Sequence, residues 1–500
     1  MKIYLLNAPY VPRFGRSMRW QDTGRAGTLY YPVWLAYATA LVGEHYEARL
    51  VDAPAWEWTR EQTLADVRRF EPELVVIDSS FPSLRNDLSM AEAIKADLPD
   101  TTIMMVGPPA PHVPGDVLAS PGVDLIARWE YDFTVLEVAQ ALERGVSLEN
   151  VRGISYQGDD GRVYNTPDRE IPRTAELDAI PFVAKVVKKH LRPRDYFLTY
   201  CLYPELQIIT ARGCPFQCTF CSWPQTLTGH VYRGRTIANV LDEFEWVRDN
   251  LPEVREIFIE DDTFTIDRKR VLAFADEYRR RGLDLPWSAN VRAEADLDQL
   301  QAVSMAGCRT IIVGFESGND HILKNIKKGG AVSVDRMRQF AADAKRAGLQ
   351  IHGDFIIGLP GETRETIDCT RRFINEIRPH ALQVSVAHPF PGTEFYDWAV
   401  ENGYLAGGDL KEYLASDGHQ AGVFSLPSLP AEEMVDVVDD MLRSYYLTPR
   451  YVPLALQSVM NRHFTHELRR LFRSARMFVK YASRTDNNAR RGHPDGRSWP

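Results

Sequence analysis

Three cysteines stand close together in one short stretch of the sequence. Cys214, Cys218 and Cys221 form a C-x3-C-x2-C spacing, and thiolates are the soft ligands that iron–sulfur clusters prefer. A [4Fe–4S] cube has four irons, so three thiolates leave one iron open to another ligand. Zinc is the alternative, but structural zinc usually takes four protein ligands, and no Cys or His pair follows at finger spacing. The spacing therefore predicts an iron–sulfur cluster, in a loop that Gly213 and Pro215 favour.

The elements around this loop alternate between strands and helices. From residue 206 the sequence predicts six strands separated by helices, at 206–210, 256–260, 287–291, 310–314, 352–357 and 381–386. Six such units are typical of a partial TIM barrel, whose chemistry lies at the carboxyl ends of the strands. Acids, an arginine and glycine-rich turns follow the later strands there. They are Glu260, Asp261 and Asp262 after the second strand, Arg292 after the third, Glu316 after the fourth, and Gly358 and Pro360 after the fifth.

The cysteine loop and these strand ends together resemble the radical S-adenosylmethionine (SAM) superfamily, over about 200–395. The resemblance implies that the open iron binds the amino and carboxylate groups of SAM. It also implies that the reduced cluster cleaves SAM, giving a 5′-deoxyadenosyl radical that removes hydrogen from an unactivated carbon. The residues that it places at SAM are Phe220, Glu260, Asp261, Asp262, Arg292, Glu316, Gly358 and Pro360.

Residues 1–145 predict a separate doubly wound parallel sheet. Five apolar runs, each followed by a helical pattern, lie at 3–6, 48–51, 74–77, 103–106 and 124–127. Ligands of such sheets bind beyond the carboxyl ends of the strands. The turns contain no G-x-G-x-x-G or Walker loop, so neither a dinucleotide nor ATP is expected.

A sheet of this kind before a radical SAM core is similar to the cobalamin-binding domain of the B12-type radical SAM enzymes. The resemblance implies cobalamin near Asn7, Ser79, Gly107 and Glu130. The D-x-H-x-x-G signature is absent, so cobalamin would be bound without a histidine on cobalt. The alternative is a Rossmann-like domain that binds nothing or serves as a substrate platform.

The predicted fold is therefore α/β: a Rossmann-like domain, a partial (β/α)6 TIM barrel and a helical C-terminal region. The predicted boundaries are 1–145 for the first domain and 206–395 for the barrel, joined by a connector with a β-hairpin at 146–205. The helical region spans 396–484, and a polar, disordered tail follows at 485–500.

The net charge of −9 is unevenly distributed along the 500 residues. Between Arg443 and Arg484 there are nine Lys and Arg against one acid, so the rest of the chain is acidic and nucleic-acid binding is not expected. The pattern at 463–482 predicts a helix with one apolar and one basic face, which fits an interfacial membrane helix or a helix packed on the barrel with its basic face in solvent. The apolar face has Phe464, Leu468, Leu471, Phe472, Ala475, Phe478 and Ala482, and the basic face has Arg469, Arg470, Arg473, Arg476 and Lys480.

Cysteine usage and apolar runs bear on the compartment. Six cysteines in 500 residues do not make a disulfide framework, and the start of the chain predicts a strand, without a signal peptide. The longest apolar stretch is too short to cross a bilayer. We expect the reducing cytoplasm, which an oxygen-sensitive cluster also needs, with peripheral contact at the inner face of the membrane through 463–482.

A closer likeness, through roughly 1–480, is to hopanoid-biosynthesis radical SAM proteins of the HpnJ type. It rests on the stretches 31–36, 127–134, 180–184, 221–226, 229–230 and 232–233. The reaction that it implies is ring contraction of a hexosamine headgroup to an aminocyclopentitol on a hopanoid lipid or related aminosugar.

The likeness leaves the chemistry at the substrate open. Tyr232, His230 and Glu130 are the candidates for handling protons near the sugar. The expected partners are a small-molecule or lipid-linked sugar substrate and an electron donor such as flavodoxin or ferredoxin. The alternatives are a cobalamin-dependent methyltransferase acting on an unactivated carbon, and a binding or sensor protein without turnover.

Overall fold

The computed structural model of the chain describes residues 1–17, 21–328, 332–405, 413–414, 418–460 and 463–482. The chain divides into two compact units. The first consists of Met1–Thr23, Leu29–Tyr196 and Ser222–Gly234, and the second of Gly24–Thr28, Phe197–Cys221 and Arg235–Pro500. The tail predicted at 485–500 lies outside the described residues.

The first unit contains a seven-stranded sheet. Its strands are β1 (Lys2–Asn7), β2 (Glu47–Asp52), β3 (Leu74–Asp78), β4 (Thr102–Val106), β5 (Leu125–Ala127), β6 (Ile154–Gln157) and β7 (Val163–Asn165). Their order is β2-β1-β3-β4-β5-β6-β7, and the first five are parallel. The doubly wound fold predicted from the sequence is confirmed. The hairpin β6–β7 pairs antiparallel with β5, so it extends the same sheet.

Burial explains why these runs form parallel strands. Every residue of β3 is buried, as is expected where helices cover both faces of a sheet. The helices of this unit are α1 (Val33–Val42), α2 (Ala53–Trp56), α3 (Arg60–Phe70), α4 (Leu84–Asp97), α5 (Pro109–His112), α6 (Pro114–Leu118), α7 (Asp132–Arg144), α8 (Thr174–Ala179) and α9 (Val183–His190). The chain continues from β1 to β2 on one side of the sheet and from β3 to β4 on the other. In sheets of this type, ligands bind at the carboxyl edge between the two strands where the direction changes, here β1 and β3.

The second unit contains six parallel strands in an open sheet. They are β8 (Glu205–Ile208), β11 (Glu256–Ile259), β12 (Trp287–Val291), β13 (Cys308–Glu316), β14 (Gln350–Ile357) and β15 (Ala381–Val386). Two short strands lie between β8 and β11 in the chain: β9 (Ala211–Arg212) in this unit and β10 (Arg233–Gly234) in the first unit. The order is β15-β14-β13-β12-β11-β8, which confirms the predicted partial barrel.

Helices follow the barrel strands and continue beyond them. They are α10 (Ile237–Asn250), α11 (Arg268–Arg280), α12 (Leu297–Met305), α13 (Asp320–Asn325), α14 (Val334–Arg346), α15 (Arg364–Ile377), α16 (Glu394–Glu401), α17 (Ala431–Tyr446), α18 (Val452–Val459) and α19 (Phe464–Ala482). Among the described helices, none combines the length and the apolar character needed to span a bilayer.

A buried ionic network fixes α19 to the barrel. The Arg309 guanidinium donates to Glu467 Oε1 at 2.7 Å and to Glu256 Oε2 at 2.9 Å. On the same helix, Arg470 Nε donates to Glu467 Oε2 at 2.7 Å. The carboxylates of Glu256 and Glu467 are completely buried, so each charge depends on its partners for the interactions that water would otherwise supply.

The network differs from the prediction for the two faces of α19. The sequence assigned Arg470 and Arg473 to a basic face directed at a membrane or at solvent, but Arg470 is buried, and Arg473 lies 4.5 Å from the ring centres of both Phe197 and Tyr203. Two guanidinium groups thus fix the helix by ion pairing and cation–π contact. As a result, Phe472 on the predicted apolar face is 72% exposed.

Replacing Glu467 with alanine is expected to lower the free energy of unfolding by about 3–5 kcal/mol, because it leaves buried guanidinium groups without their partner. Chemical denaturation followed by circular dichroism measures the change. The matched control is Glu394→Ala, since Glu394 pairs with Lys327 at 2.6 Å with both side chains about half exposed. That loss is expected to cost less than about 1 kcal/mol. Equal losses in the two variants would contradict the importance of the network.

Candidate cluster and cofactor site

The three cysteines lie on the loop that follows β8 and β9. Cys218 is buried, Cys214 and Cys221 are half-buried, and none is in a disulfide. A tight turn connects two of them, because Cys221 N donates to Cys218 O at 3.1 Å. Burial is the main cause that raises the pKa of the Cys214 thiol to about 11, and the charges of Asp262 and Cys218 act in the same direction. Phe220, a predicted SAM contact, is half-buried within the same turn.

Two acids at the end of β11 hold the backbone that leads into this loop. Asp261 accepts from Thr210 N at 2.6 Å, Ala211 N at 2.9 Å and Thr210 Oγ1 at 2.6 Å. Asp262 Oδ2 accepts from Gly213 N at 3.1 Å, and the φ of Gly213 is +82°, a region that favours glycine. Sequence reasoning missed this anchoring role. The predicted contact of Glu260, Asp261 and Asp262 with SAM stays a prediction.

Burial of Asp261 has an electrostatic consequence. The residue is 1% exposed, and burial raises the pKa of its carboxyl group to about 6, although the hydrogen bonds from Thr210 and Ala211 act in the opposite direction. Three donors directed at one carboxylate show that the site is built for the ionised form. The geometry of the cysteine loop is therefore coupled to the charge of this residue.

Arg292 lies against the cysteine loop. Its guanidinium is 3.6 Å from the centre of the Phe216 ring, and Nη1 is 3.7 Å from Cys218 Sγ. Nη2 donates to Glu294 Oε1 and to Lys328 O, both at 3.1 Å. Burial opposes the charge, but the contacts with Glu294 and Cys218 raise the pKa of Arg292 overall, so it stays cationic. The predicted contact of Arg292 with the SAM carboxylate stays a prediction.

A segment after α13 supports both the loop and the end of β13. Ile326 O accepts from Thr219 N at 3.1 Å, and Lys328 Nζ donates to Glu316 Oε1 at 2.8 Å in a buried ion pair. Glu316 has a φ of +65°, which is uncommon for a residue with a Cβ and marks a constrained strand end. The sequence singled out Glu316 for the ribose of SAM, which stays a prediction, and missed Lys328.

The turn after β14 is shaped by a buried carboxyl group. Glu362 Oε2 accepts from Gly358 N at 2.5 Å and from Leu359 N at 3.3 Å, and burial raises the pKa of Glu362 to about 8. Gly358 has a φ of +98°, and a Cβ there would lie 2.7 Å from Met434 Sδ. Pro360 O accepts from Asn325 Nδ2 at 3.0 Å. The predicted cofactor contacts of Gly358 and Pro360 thus lie on a rigid turn, and they stay predictions.

In the first unit, three of the predicted cobalamin contacts lie at the carboxyl edge of the sheet. Asn7 ends β1 and donates to Asp52 Oδ1 at 3.1 Å, while Ser79 follows β3 and donates to Asp87 Oδ2 at 3.0 Å. Gly107 follows β4 with a φ of +97°, and a Cβ there would lie 2.3 Å from Ser79 O. Only glycine fits at that position.

The buried acids of this edge are poorly solvated. Burial raises the pKa of Asp52 to about 6 and that of Asp78 to about 7. Asp87 forms a buried ion pair with Arg16 at 2.5 Å. The edge therefore offers hydroxyl, amide and carboxyl groups within an otherwise apolar sheet.

Glu130 has a partner that the sequence did not reveal. Its Oε1 lies 2.5 Å from Arg233 Nη2, with both side chains buried, and Arg233 also donates to Thr228 O at 2.8 Å. This gives Glu130 a structural role beside the start of α7. Of the other proton-handling candidates, His230 is exposed and Tyr232 is half-buried. The catalytic roles of these three residues stay predictions.

The type and spacing of the three cysteines suit an iron–sulfur cube. Among the described residues, no group of three or more His, Cys, Asp or Glu side chains is arranged to hold one ion, as structural zinc would require. A cube spreads its protein ligands over several irons, so its thiolates stand farther apart than the ligands of one ion. Three cysteines on one loop, beside a fixed cation, fit such a cluster.

Comparison with known proteins identifies the barrel. Residues 208–374 match the Radical SAM superfamily. The barrel therefore carries a radical SAM domain. The radical SAM enzyme predicted from the cysteine loop is thus confirmed.

Relatives of this radical SAM enzyme match it over most of their length. The chain is 29% identical to an uncharacterized methyltransferase of Pyrococcus horikoshii, over 85% of this chain and 89% of that protein. It is 25% identical to the cytidylyl-2-hydroxyethylphosphonate methyltransferase of Streptomyces wedmorensis, over 83% of this chain and 86% of that protein.

A solved structure shares the fold of nearly the whole radical SAM enzyme. It is the radical SAM methyltransferase TsrM from Kitasatospora setae, with cobalamin and a [4Fe–4S] cluster bound. The match covers 96% of this chain and 99% of that chain, with a TM-score of 0.67 and 15% sequence identity. At that identity the comparison establishes a common fold.

Replacing Cys218 with alanine is expected to abolish formation of 5′-deoxyadenosine, because two thiolates cannot hold a cluster in this loop. Anaerobic reconstitution with iron and sulfide, a visible spectrum and a SAM-cleavage assay under dithionite measure the loss. The control is Cys369→Ala, which removes a half-buried thiol of α15 whose Sγ lies 3.1 Å from Arg372. The control is expected to keep colour and activity. Full activity in the Cys218 variant would refute the ligand assignment.

Proposed function

We propose that the chain is a cobalamin-dependent radical SAM methyltransferase that acts on an unactivated carbon of a small-molecule substrate. The observation that carries the proposal is that two methyltransferases match more than four-fifths of this chain and of their own length. The match therefore extends well beyond the radical SAM domain and includes the region of the N-terminal sheet. A structure with the same fold over nearly the whole chain has cobalamin and a cluster bound.

The residues present suit both cofactors. Cys214, Cys218 and Cys221 hold the cluster, and the carboxyl edge formed by Asn7 and Ser79 receives the corrinoid, whose amide side chains both donate and accept hydrogen bonds. The sequence has no histidine signature for cobalt. When bound, these cofactors supply the electron that cleaves SAM and the carrier that transfers a methyl group. The chain's own part is to orient the substrate carbon and to exclude water.

Ring contraction of an aminosugar stays a prediction. The two relatives in the comparison are methyltransferases, so they favour methyl transfer instead. The two reactions differ in what happens to SAM. Ring contraction needs only its reductive cleavage, whereas methyl transfer also leaves S-adenosylhomocysteine. That by-product separates the two reactions before any substrate is known.

We expect that reconstituted protein under dithionite forms S-adenosylhomocysteine only when hydroxocobalamin is supplied. The amount of S-adenosylhomocysteine formed should be close to the amount of bound corrinoid. Mass spectrometry of reactions with and without hydroxocobalamin measures this, and SAM with a trideuterated methyl group traces the label. Formation of 5′-deoxyadenosine alone, with corrinoid present, would favour ring contraction. Absence of both products would favour the sensor alternative.

We also propose that helices α18 and α19 contact an anionic lipid surface. The carrying observation is a series of exposed apolar side chains that follow one another every four residues from Val452 to Phe472. We name it the α18–α19 stripe, and it consists of Val452, Leu456, Met460, Phe464, Leu468, Phe472 and Val479, each about half exposed or more. Arg469 and Arg476 are also exposed on α19. An apolar stripe flanked by cations matches the chemistry of an anionic bilayer interface.

Replacing both Leu468 and Phe472 with serine is expected to lower binding to phosphatidylserine vesicles at least about tenfold, because each side chain contributes about 1.5–3 kcal/mol when it leaves water. Vesicle sedimentation measures the bound fraction. The control is Val146→Ser, which alters a side chain of similar exposure, 52%, in the first unit. If the unmodified protein binds neither anionic nor neutral vesicles, the lipid proposal is wrong.

A further inference from the structure

The barrel strands carry polar side chains on one of their two faces. The register aligns Gln207 with Phe258 and Ser288, and Asp354 with Gly314 and Gln383. Side chains of a strand alternate between faces, so one face can be followed around the sheet. Its polar members are Glu205, Gln207, Glu256, Ser288, Asn290, Thr310, Gln350, His352, Asp354, Gln383 and Ser385.

The opposite face is apolar and packs against helices. Trp287 of β12 lies 5.3 Å, between ring centres, from Phe274 of α11. Phe355 of β14 lies 6.2 Å from Phe373 of α15. The apolar face is therefore the convex one, as hydrophobic burial requires.

The polar face is the concave interior of the barrel. The ring of Tyr200 lies 5.3 Å from Phe258 of β11 and 4.7 Å from His352 of β14. Two strands, β12 and β13, separate β11 from β14 in the sheet. One ring reaches both only if their side chains converge, so Phe258 and His352 point into the interior.

Such an interior is unusual for a packed barrel core, which is filled by bulky branched side chains. Gln207 is 1% exposed, and neither atom of its amide has a hydrogen-bond partner among the described residues. The Nδ1 atom of the buried His352 also has no hydrogen-bond partner among the described residues. Buried polar groups left unpaired cost stability, and a polar molecule in the interior would recover that cost by pairing with them.

Asp354 is the accessible charge on this face. Its side chain is 29% exposed, and His352 Nε2 lies 3.1 Å from its Oδ1. In register it faces Gly314, where an added Cβ would lie 2.3 Å from Glu316 Oε1. The carboxylate therefore lies beside His352, on the strand next to that of the Glu316–Lys328 pair.

We infer that the concave face binds a hydrophilic small molecule, and that Asp354 accepts a hydrogen bond from a hydroxyl or ammonium group of that substrate. Gln207 and Gln383 supply amide donors and acceptors to its other polar groups. The inference rests on the proposed function, since it assigns the substrate class of the same enzyme. It also argues against a flat apolar macrocycle as the substrate.

The test measures binding of two polar probes to cluster-loaded protein with SAM present. D-Glucosamine offers an ammonium and hydroxyl groups, D-glucose offers hydroxyl groups alone, and protoporphyrin IX is the apolar comparison. Ligand-observed NMR is expected to show saturable binding of at least one sugar, weakened tenfold or more by Asp354→Asn. Asp298→Asn, an exposed acid of α12 that pairs with Arg268 at 3.0 Å, is the matched control and is expected to change nothing.

The pattern of loss identifies the group that Asp354 recognises. Loss confined to glucosamine assigns an ammonium, and an equal loss of both sugars assigns a hydroxyl. The inference is overturned if neither sugar binds, if Asp354→Asn leaves sugar binding unchanged, or if only the porphyrin binds.

A second variant protects the test against a folding defect. Gln207→Leu keeps the approximate size of the side chain and removes the unpaired amide. It is therefore expected to raise the melting temperature of the protein and to weaken sugar binding about tenfold. A rise in stability with unchanged binding would overturn the role of Gln207. Failure of the unmodified protein to cleave SAM would count against the proposed function, whereas normal cleavage without sugar binding would count against this inference alone.

Discussion

The position of the cysteine loop depends on hydrogen bonds to the carboxylate of Asp261. Two backbone amides and a hydroxyl at the end of β8 converge on this one buried side chain. A loop of this length with glycine and proline has many conformations in isolation, and its ordering costs conformational entropy. By fixing Thr210 and Ala211, the acid fixes the direction in which the chain leaves the barrel. The contacts of Gly213 with Asp262 and of Thr219 with Ile326 then hold the rest of the loop.

Much of the architecture was predictable because it follows from short-range patterns. The apolar runs at 74–77 and 103–106 became β3 and β4 with their ends moved by at most one residue. The three cysteines lie within eight residues of one another, so their type and spacing alone indicated a cluster. The radical SAM domain was recognisable for the same reason.

What the sequence did not reveal are partnerships between residues far apart in the chain. Glu130 pairs with Arg233, and Glu316 pairs with Lys328, but no local pattern links the members of either pair. The two faces of α19 were predicted from periodicity, which does not say which face the core takes. The burial of Arg470 could not be foreseen because its partner Glu467 is itself held by barrel residues distant in the sequence, Arg309 and Gln350.

The guanidinium of Arg292 lies between an aromatic ring and the sulfur of Cys218. A fixed positive charge at that distance favours whichever oxidation state of a bound cluster carries more negative charge, which is the reduced one. With a cluster bound, this cation would shift the midpoint potential of the centre upward, so that a milder reductant would suffice to reduce it. Arg292, held by Glu294 and by the backbone carbonyl of Lys328, would then help to set how readily the cluster accepts an electron.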